Sequence, residues 1–159
     1  MKKIIKQVLE EFNWKYLEGD DVIKLDVEGE SSSWSSFIRI ESDDMFSYYS
    51  VLPAKAEPDK LGAMSELLLR INYSVRVGSF EINLSDGGNK GQIMLKTYGI
   101  MPEKIADDNS AAAAEIVRKV IAYNMLTMDF YAKPLLKAIY SDEINFDEIF
   151  KTTERGEQI

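Results

Sequence analysis

Three consecutive stretches between Val22 and Leu52 alternate apolar and polar residues with period two, and no other feature constrains the fold of this chain as strongly. In the first, Ile23, Leu25 and Val27 face one way while Lys24, Asp26 and Glu28 face the other. After the loop Gly29–Ser33, Trp34, Ser36, Ile38 and Ile40 alternate with Phe37, Arg39 and Glu41. Ser42-Asp43-Asp44 then turns the chain into Met45–Leu52. Period-two alternation is the mark of half-buried strands. Polar loops this short permit antiparallel pairing only, because a parallel neighbour requires a crossover of a dozen residues or more. An antiparallel meander with one apolar face follows, and the rest of the chain must cover that face.

Helical spacing on both sides of the meander supplies the cover. Ile4, Ile5, Val8, Leu9 and Phe12 predict a short amphipathic helix over Met1–Phe12, followed by a short strand at Trp14–Leu17 and a turn at Glu18-Gly19-Asp20. Pro53 and Pro58 punctuate the change to a second helix, with Pro58 in the first turn where a missing amide hydrogen costs nothing. Leu61, Met64, Leu68, Ile71 and Val75 mark its buried stripe, and Gly78 ends it. Alternation resumes over Ser79–Ser85, and Asp86-Gly87-Gly88-Asn89 is a hairpin signal leading into a strand over Gly91–Tyr98. Asp107-Asp108-Asn109-Ser110 offers caps for a long helix whose apolar side carries Ile116, Val117, Val120, Ile121, Met125 and Met128. Pro134 is expected to kink or restart that helix, and Asn145 with Glu148 reads as a capping box for a terminal turn at Phe146–Phe150. The reading is one α+β domain over residues 1–150: an antiparallel sheet with helices packed on it, in the order α-β-β-β-α-β-β-α, followed by a polar, frayed tail at Lys151–Ile159.

Composition narrows function mainly by exclusion. The 159 residues include no Cys and no His, which removes disulfides, thiolate nucleophiles, Cys/His zinc sites, imidazole bases and Ser-His-Asp triads together. A net charge of −8 opposes phosphate backbones and anionic lipid, so neither nucleic acid nor membrane is an expected partner. Lys6, Glu10 and Glu11 interrupt the apolar run a signal peptide requires, and a cytoplasmic protein is expected. No cofactor and no metal are called for. Gly87-Gly88-Asn89-Lys90-Gly91 lies between strands and lacks the Ser or Thr of a phosphate loop, and the acidic pairs Asp20-Asp21, Asp43-Asp44, Asp107-Asp108 and Asp142-Glu143 lack the spacing of a calcium loop.

What remains is a surface for contact. Tyr48, Tyr49, Tyr73 and Tyr98 fall on or beside predicted strands, and aromatic residues are enriched at interfaces. Tyr48 and Tyr49 must face opposite sides of the sheet, which sets one of them toward solvent. Asp129 stands beside the apolar stripe of the long helix, where a carboxylate must be paired or turned outward. These five residues are the candidates for partner binding; no catalytic residue is among them.

The segment from Phe46-Ser47-Tyr48-Tyr49-Ser50 through Tyr140 resembles the YbjN-like domain family, whose members are labelled bacterial sensory transduction regulators. The similarity gathers in the strand leading to Pro53-Ala54-Lys55-Ala56, in Arg70-Ile71-Asn72-Tyr73 to Gly78-Ser79-Phe80-Glu81-Ile82 with Asp86-Gly87, and in Tyr123-Asn124-Met125-Leu126-Thr127-Met128-Asp129 with Tyr131 and Pro134. It is most like the cyanobacterial branch and departs from it at Gly88-Asn89-Lys90-Gly91. The resemblance implies the fold of class I type III secretion chaperones, which usually dimerise, and brings no catalytic motif. A non-enzymatic protein-binding or regulatory module is the expectation, with a secretion or folding chaperone and a small-ligand binder or carboxylate enzyme as alternatives. Open sheet edges also predict a two-fold dimer, centred on Met45–Leu52 or on the hairpin Ser79–Tyr98.

Overall fold

The computed structural model describes residues 1–84, 90–101, 110–147 and 149–150, with the backbone alone at Ser110. Helix α1 (Lys2–Glu11) is followed by a two-residue strand β1 (Leu17–Glu18) and the meander β2 (Val22–Glu28), β3 (Ser33–Ile40) and β4 (Met45–Ala56). A single 3₁₀ turn (Pro58–Lys60) opens helix α2 (Leu61–Ser74), the strands β5 (Ser79–Asn83) and β6 (Gly91–Ile100) follow, and helix α3 (Ser110–Tyr140) closes the set. Residues 146, 147, 149 and 150 are helical as well. The strands form one antiparallel sheet in the order β1-β2-β3-β4-β6-β5. The fold is therefore α+β, as the alternation predicts.

Register sets one face of every strand toward the helices. Ile23, Ile38, Tyr48 and Thr97 stand in one row across four strands, and Leu25, Ser36, Ser50, Leu95 and Phe80 in the next. Phe46 lies opposite Gly99, and a side chain there would strike the Phe46 ring, so the glycine is what allows the aromatic to lie flat on the sheet. Ile5, Val8 and Leu9 of α1, Met64, Leu67, Leu68 and Ile71 of α2, and Val117, Ile121, Met128 and Leu135 of α3 complete a single core with these residues. At the C-terminal end of α3, the Lys60 ammonium donates to the carbonyls of Ile139 (2.7 Å) and Ser141 (2.6 Å), where the helix dipole favours a cation.

Two prolines behave differently from their sequence reading. Pro53 does not end β4, which continues to Ala56. β3 pairs with β4 only as far as Val51, and the β4–β6 register shifts between Val51 and Lys55, so the missing amide hydrogen falls where no ladder bond needs it. The Gln92 side chain donates to the Leu52 carbonyl (2.6 Å) inside that irregularity. Pro134 sits within an unbroken α3, whose burial of Tyr131, Ala132, Leu135, Ala138 and Ile139 on either side offsets one lost helical bond. Helix α2 ends at Ser74, with Val75 already extended, so Gly78 does not end it as the sequence reading has it; its left-handed φ of 86° belongs to the turn before β5. The glycine turn Asp86–Asn89, the cap cluster Asp107–Asn109, Glu148 of the capping box and the tail lie outside the described residues.

Candidate functional site

The opposite face of the sheet carries the side chains that no helix covers. Lys24, Phe37, Tyr49, Lys96 and Ser79 form its middle row across β2, β3, β4, β6 and β5. Val22, Arg39, Ser47 and Tyr98 stand on one side of that row, and Asp26, Ser35, Val51, Met94 and Glu81 on the other. None of Phe37, Tyr49, Val51, Met94 or Tyr98 packs against the core, and Tyr98 and Ile100 are 59% and 55% exposed. The Lys96 ammonium lies over the Tyr49 ring, 5.5 Å from its centre. Lys24 pairs loosely with Asp26 (3.7 Å) and Arg39 with Glu41 (3.4 Å), while Lys96 meets no carboxylate among the described residues. Where β3 leaves β4 beyond Val51, the face deepens into a cleft of about 530 Å³ lined by Asp26, Glu28, Trp34, Val51 and Pro53. Aromatic rings among cations suit apolar and acidic groups, and an open antiparallel face with this content is unusual because such a face is normally polar.

The five candidate residues divide. Tyr49 and Tyr98 share the open face on adjacent strands, two residue pairs apart in register. Tyr48 is on the buried face and wholly enclosed. Burial pushes its phenol up to about 12, against a smaller lowering from the neighbouring Ser36 and Ser50 hydroxyls, and its oxygen makes no hydrogen bond of good geometry. Those two serines instead bind each other (3.1 Å) and receive the indole N–H of Trp34 at 3.1 and 2.9 Å. Tyr73 stands on α2, 95% exposed and away from the open face. Asp129 accepts backbone hydrogens from Glu30 (3.2 Å) and Ser31 (3.1 Å), which pins the β2–β3 loop to α3 and accounts for a carboxylate at the edge of the core. Gly29 makes that approach possible, since a side chain there would collide with the Asp129 carboxylate and the Trp34 ring.

Two asparagines escape the tyrosine-led reading. Asn124 points from α3 into the sheet and donates to the carbonyls of Tyr48 (3.2 Å) and Leu95 (3.1 Å) and to Thr97 Oγ1 (3.1 Å). Its place between Val120 and Met128 at helical spacing is the signal that marks it as buried. Asn72 receives the Phe80 amide hydrogen (2.7 Å) and donates to the Phe80 carbonyl (3.0 Å). It thereby occupies the outward polar groups of Phe80 in β5, the last strand of the sheet, much as one residue of another strand would. Nothing in periodicity reveals this, because the contact joins an exposed turn of helix to a strand eight residues on.

Comparison with known proteins fits this arrangement. The model of the YbjN family, described as "Putative bacterial sensory transduction regulator", matches residues 2–114. The chain belongs to the YbjN family. The match runs from α1 through the whole sheet and into the first turn of α3, so it covers the open face in full. Among solved structures, the crystal structure of YbjN from E. coli, titled "a putative transcription regulator", has the same fold at a TM-score of 0.60 and 12% identity, over 82% of this chain and 90% of that one. No curated protein matches the sequence. YbjN proteins are thus described as regulators, and among the described residues of this one no helix is long and apolar enough to cross a membrane.

Proposed function

We propose that this YbjN protein is a non-enzymatic regulatory module of the cytoplasm that captures a segment of another protein on the open face of its sheet. The observation that carries the reading is the cluster of Phe37, Tyr49 and Tyr98 with Val51, Met94 and Ile100, held on the open face of the sheet and left without any covering element among the described residues. A captured segment fits best if it brings apolar side chains for the aromatic row and carboxylates for Lys24, Arg39 and Lys96. The regulator description of the family supports a binding role over a catalytic one.

The test is quantitative capture from native lysate by the wild-type chain, by Tyr49→Thr/Tyr98→Thr and by Tyr73→Ala. Threonine keeps strand propensity while removing the rings. A protein bound by the wild type should fall by about tenfold or more with the double variant and be retained by Tyr73→Ala. Equal capture by the wild type and the double variant would place binding elsewhere.

A further inference from the structure

The charges of the open sheet face are sorted by sign along the strands. Lys24 on β2, Arg39 on β3 and Lys96 on β6 occupy the rows toward the start of β2. Asp26 and Glu28 on β2 and Glu81 on β5 occupy the rows toward its end. Lys24 and Asp26 meet loosely across the border, at 3.7 Å. Glu28 and Glu81 are exposed and, like Lys96, make no ion pair among the described residues. Lys55, opposite Gln92, and Glu41, held by Arg39 at 3.4 Å, stand against the pattern at either end without outnumbering the three charges beside them. Phe37, Tyr49, Val51 and Met94 lie between the two ends, and the cleft beyond Val51 opens at the acidic one.

We infer that the segment captured on this face is itself bipolar and lies along the strands, with carboxylates at one end, apolar side chains at its centre and an arginine or lysine at the other end. The carboxylates meet Lys24, Arg39 and Lys96; the cationic end enters the cleft beside Asp26 and Glu28. This rests on capture at the open face and adds to it the order of charges in the segment. A wholly acidic segment would meet Asp26, Glu28 and Glu81 together with the chain's net charge of −8, and a wholly basic one would meet the three cations. Like charges set against each other across a contact are costly, so a segment of opposite ends is the one that both halves accept. The cleft suits a long cationic side chain, whose stem packs on Val51 and Pro53 while its charged head stays at the solvent near two carboxylates. Val22, opposite Arg39, and Glu28 stand at the two ends of β2, about 20 Å apart, so an extended segment of about seven residues spans the face. The acidic turns Asp20-Asp21 and Asp43-Asp44 lie past the strands at the cationic end and bound the acidic part of the segment there.

Fluorescence anisotropy of the full chain with three labelled synthetic peptides tests it. The first carries glutamates at one end, leucines and phenylalanines at the centre and arginines at the other end. The second has the same composition with its charges interspersed, and the third has glutamates at both ends. The wild type should bind the first about tenfold or more tighter than either of the others. Glu28→Lys/Glu81→Lys should abolish that preference and bind the third peptide best, and the milder Glu28→Gln/Glu81→Gln should shift it the same way by less. Both positions are exposed, so circular dichroism should show the fold unchanged. Equal binding of the first two peptides, a preference that survives Glu28→Lys/Glu81→Lys and Glu28→Gln/Glu81→Gln alike, or no binding of any peptide overturns the bipolar segment. Should the wild type bind the third peptide best and lose it with Tyr49→Thr/Tyr98→Thr, the charge order fails while capture at the face stands. Binding of the first peptide that is indifferent to Tyr49→Thr/Tyr98→Thr overturns both.

Discussion

Tyr48 is the clearest case of a side chain whose environment changes its chemistry. It lies wholly buried, in the row between Ile38 and Thr97, with an unbonded hydroxyl. Unfolded, it loses its proton near its ordinary 10.0; folded, only near about 12. Between those values the unfolded chain binds fewer protons than the folded one, so stability present at neutral pH is lost as pH rises, by about 3 kcal/mol in all. Phenylalanine cannot ionise and leaves no hydroxyl to satisfy. Tyr48→Phe should therefore be as stable as the wild type or more so at pH 7, and its advantage should widen by more than about 1 kcal/mol by about pH 11 in urea unfolding. Parallel pH curves for the two proteins would show that the hydroxyl is solvated in the native state. In sequence Tyr48 and Tyr49 are adjacent and chemically equal, and alternation says that they part; only the neighbouring rows decide which one is enclosed.

Among the elements, the edge of the sheet is governed by one residue of a helix. Asn72 supplies both a donor and an acceptor to Phe80, which occupies the backbone of one residue on the outer edge of β5. Asn72→Ala leaves a partly buried amide hydrogen and carbonyl unpaired and should cost about 1–3 kcal/mol in denaturant unfolding. It should also raise the tendency to aggregate, read by light scattering at equal fraction folded. A variant unchanged in both would mean that water replaces the side chain without cost. The elements themselves were largely legible: alternation gave β2 to β6 and helical spacing gave the three helices, because each buries one face on its own period. The prolines were not, since whether Pro53 ends a strand depends on where its neighbour β3 stops pairing, a matter of register. The same applies to Asp129, whose partners Glu30 and Ser31 lie almost a hundred residues away in sequence.

The described residues form a sheet with α1, α2 and α3 on one face and, on the other, an aromatic cluster flanked by cations. Periodicity showed that one tyrosine of the Tyr48–Tyr49 pair would face outward, but the joining of Tyr49 with Phe37 and Tyr98 required the registers of β3 with β4 and of β4 with β6. Tyrosines on other surfaces, Tyr73 on α2 and Tyr123 and Tyr140 on α3, provide internal standards. The most direct measurement is hydroxyl-radical footprinting of the tyrosines in the wild-type chain, free and with its captured protein bound. Binding on the open face should protect Tyr98 strongly and Tyr49 in proportion to its smaller exposure, with Tyr73 and Tyr140 as reactive as in the free chain. A complex in which Tyr98 reacts as it does in the free chain while Tyr73 is shielded would contradict the assignment of the sheet face as the binding surface.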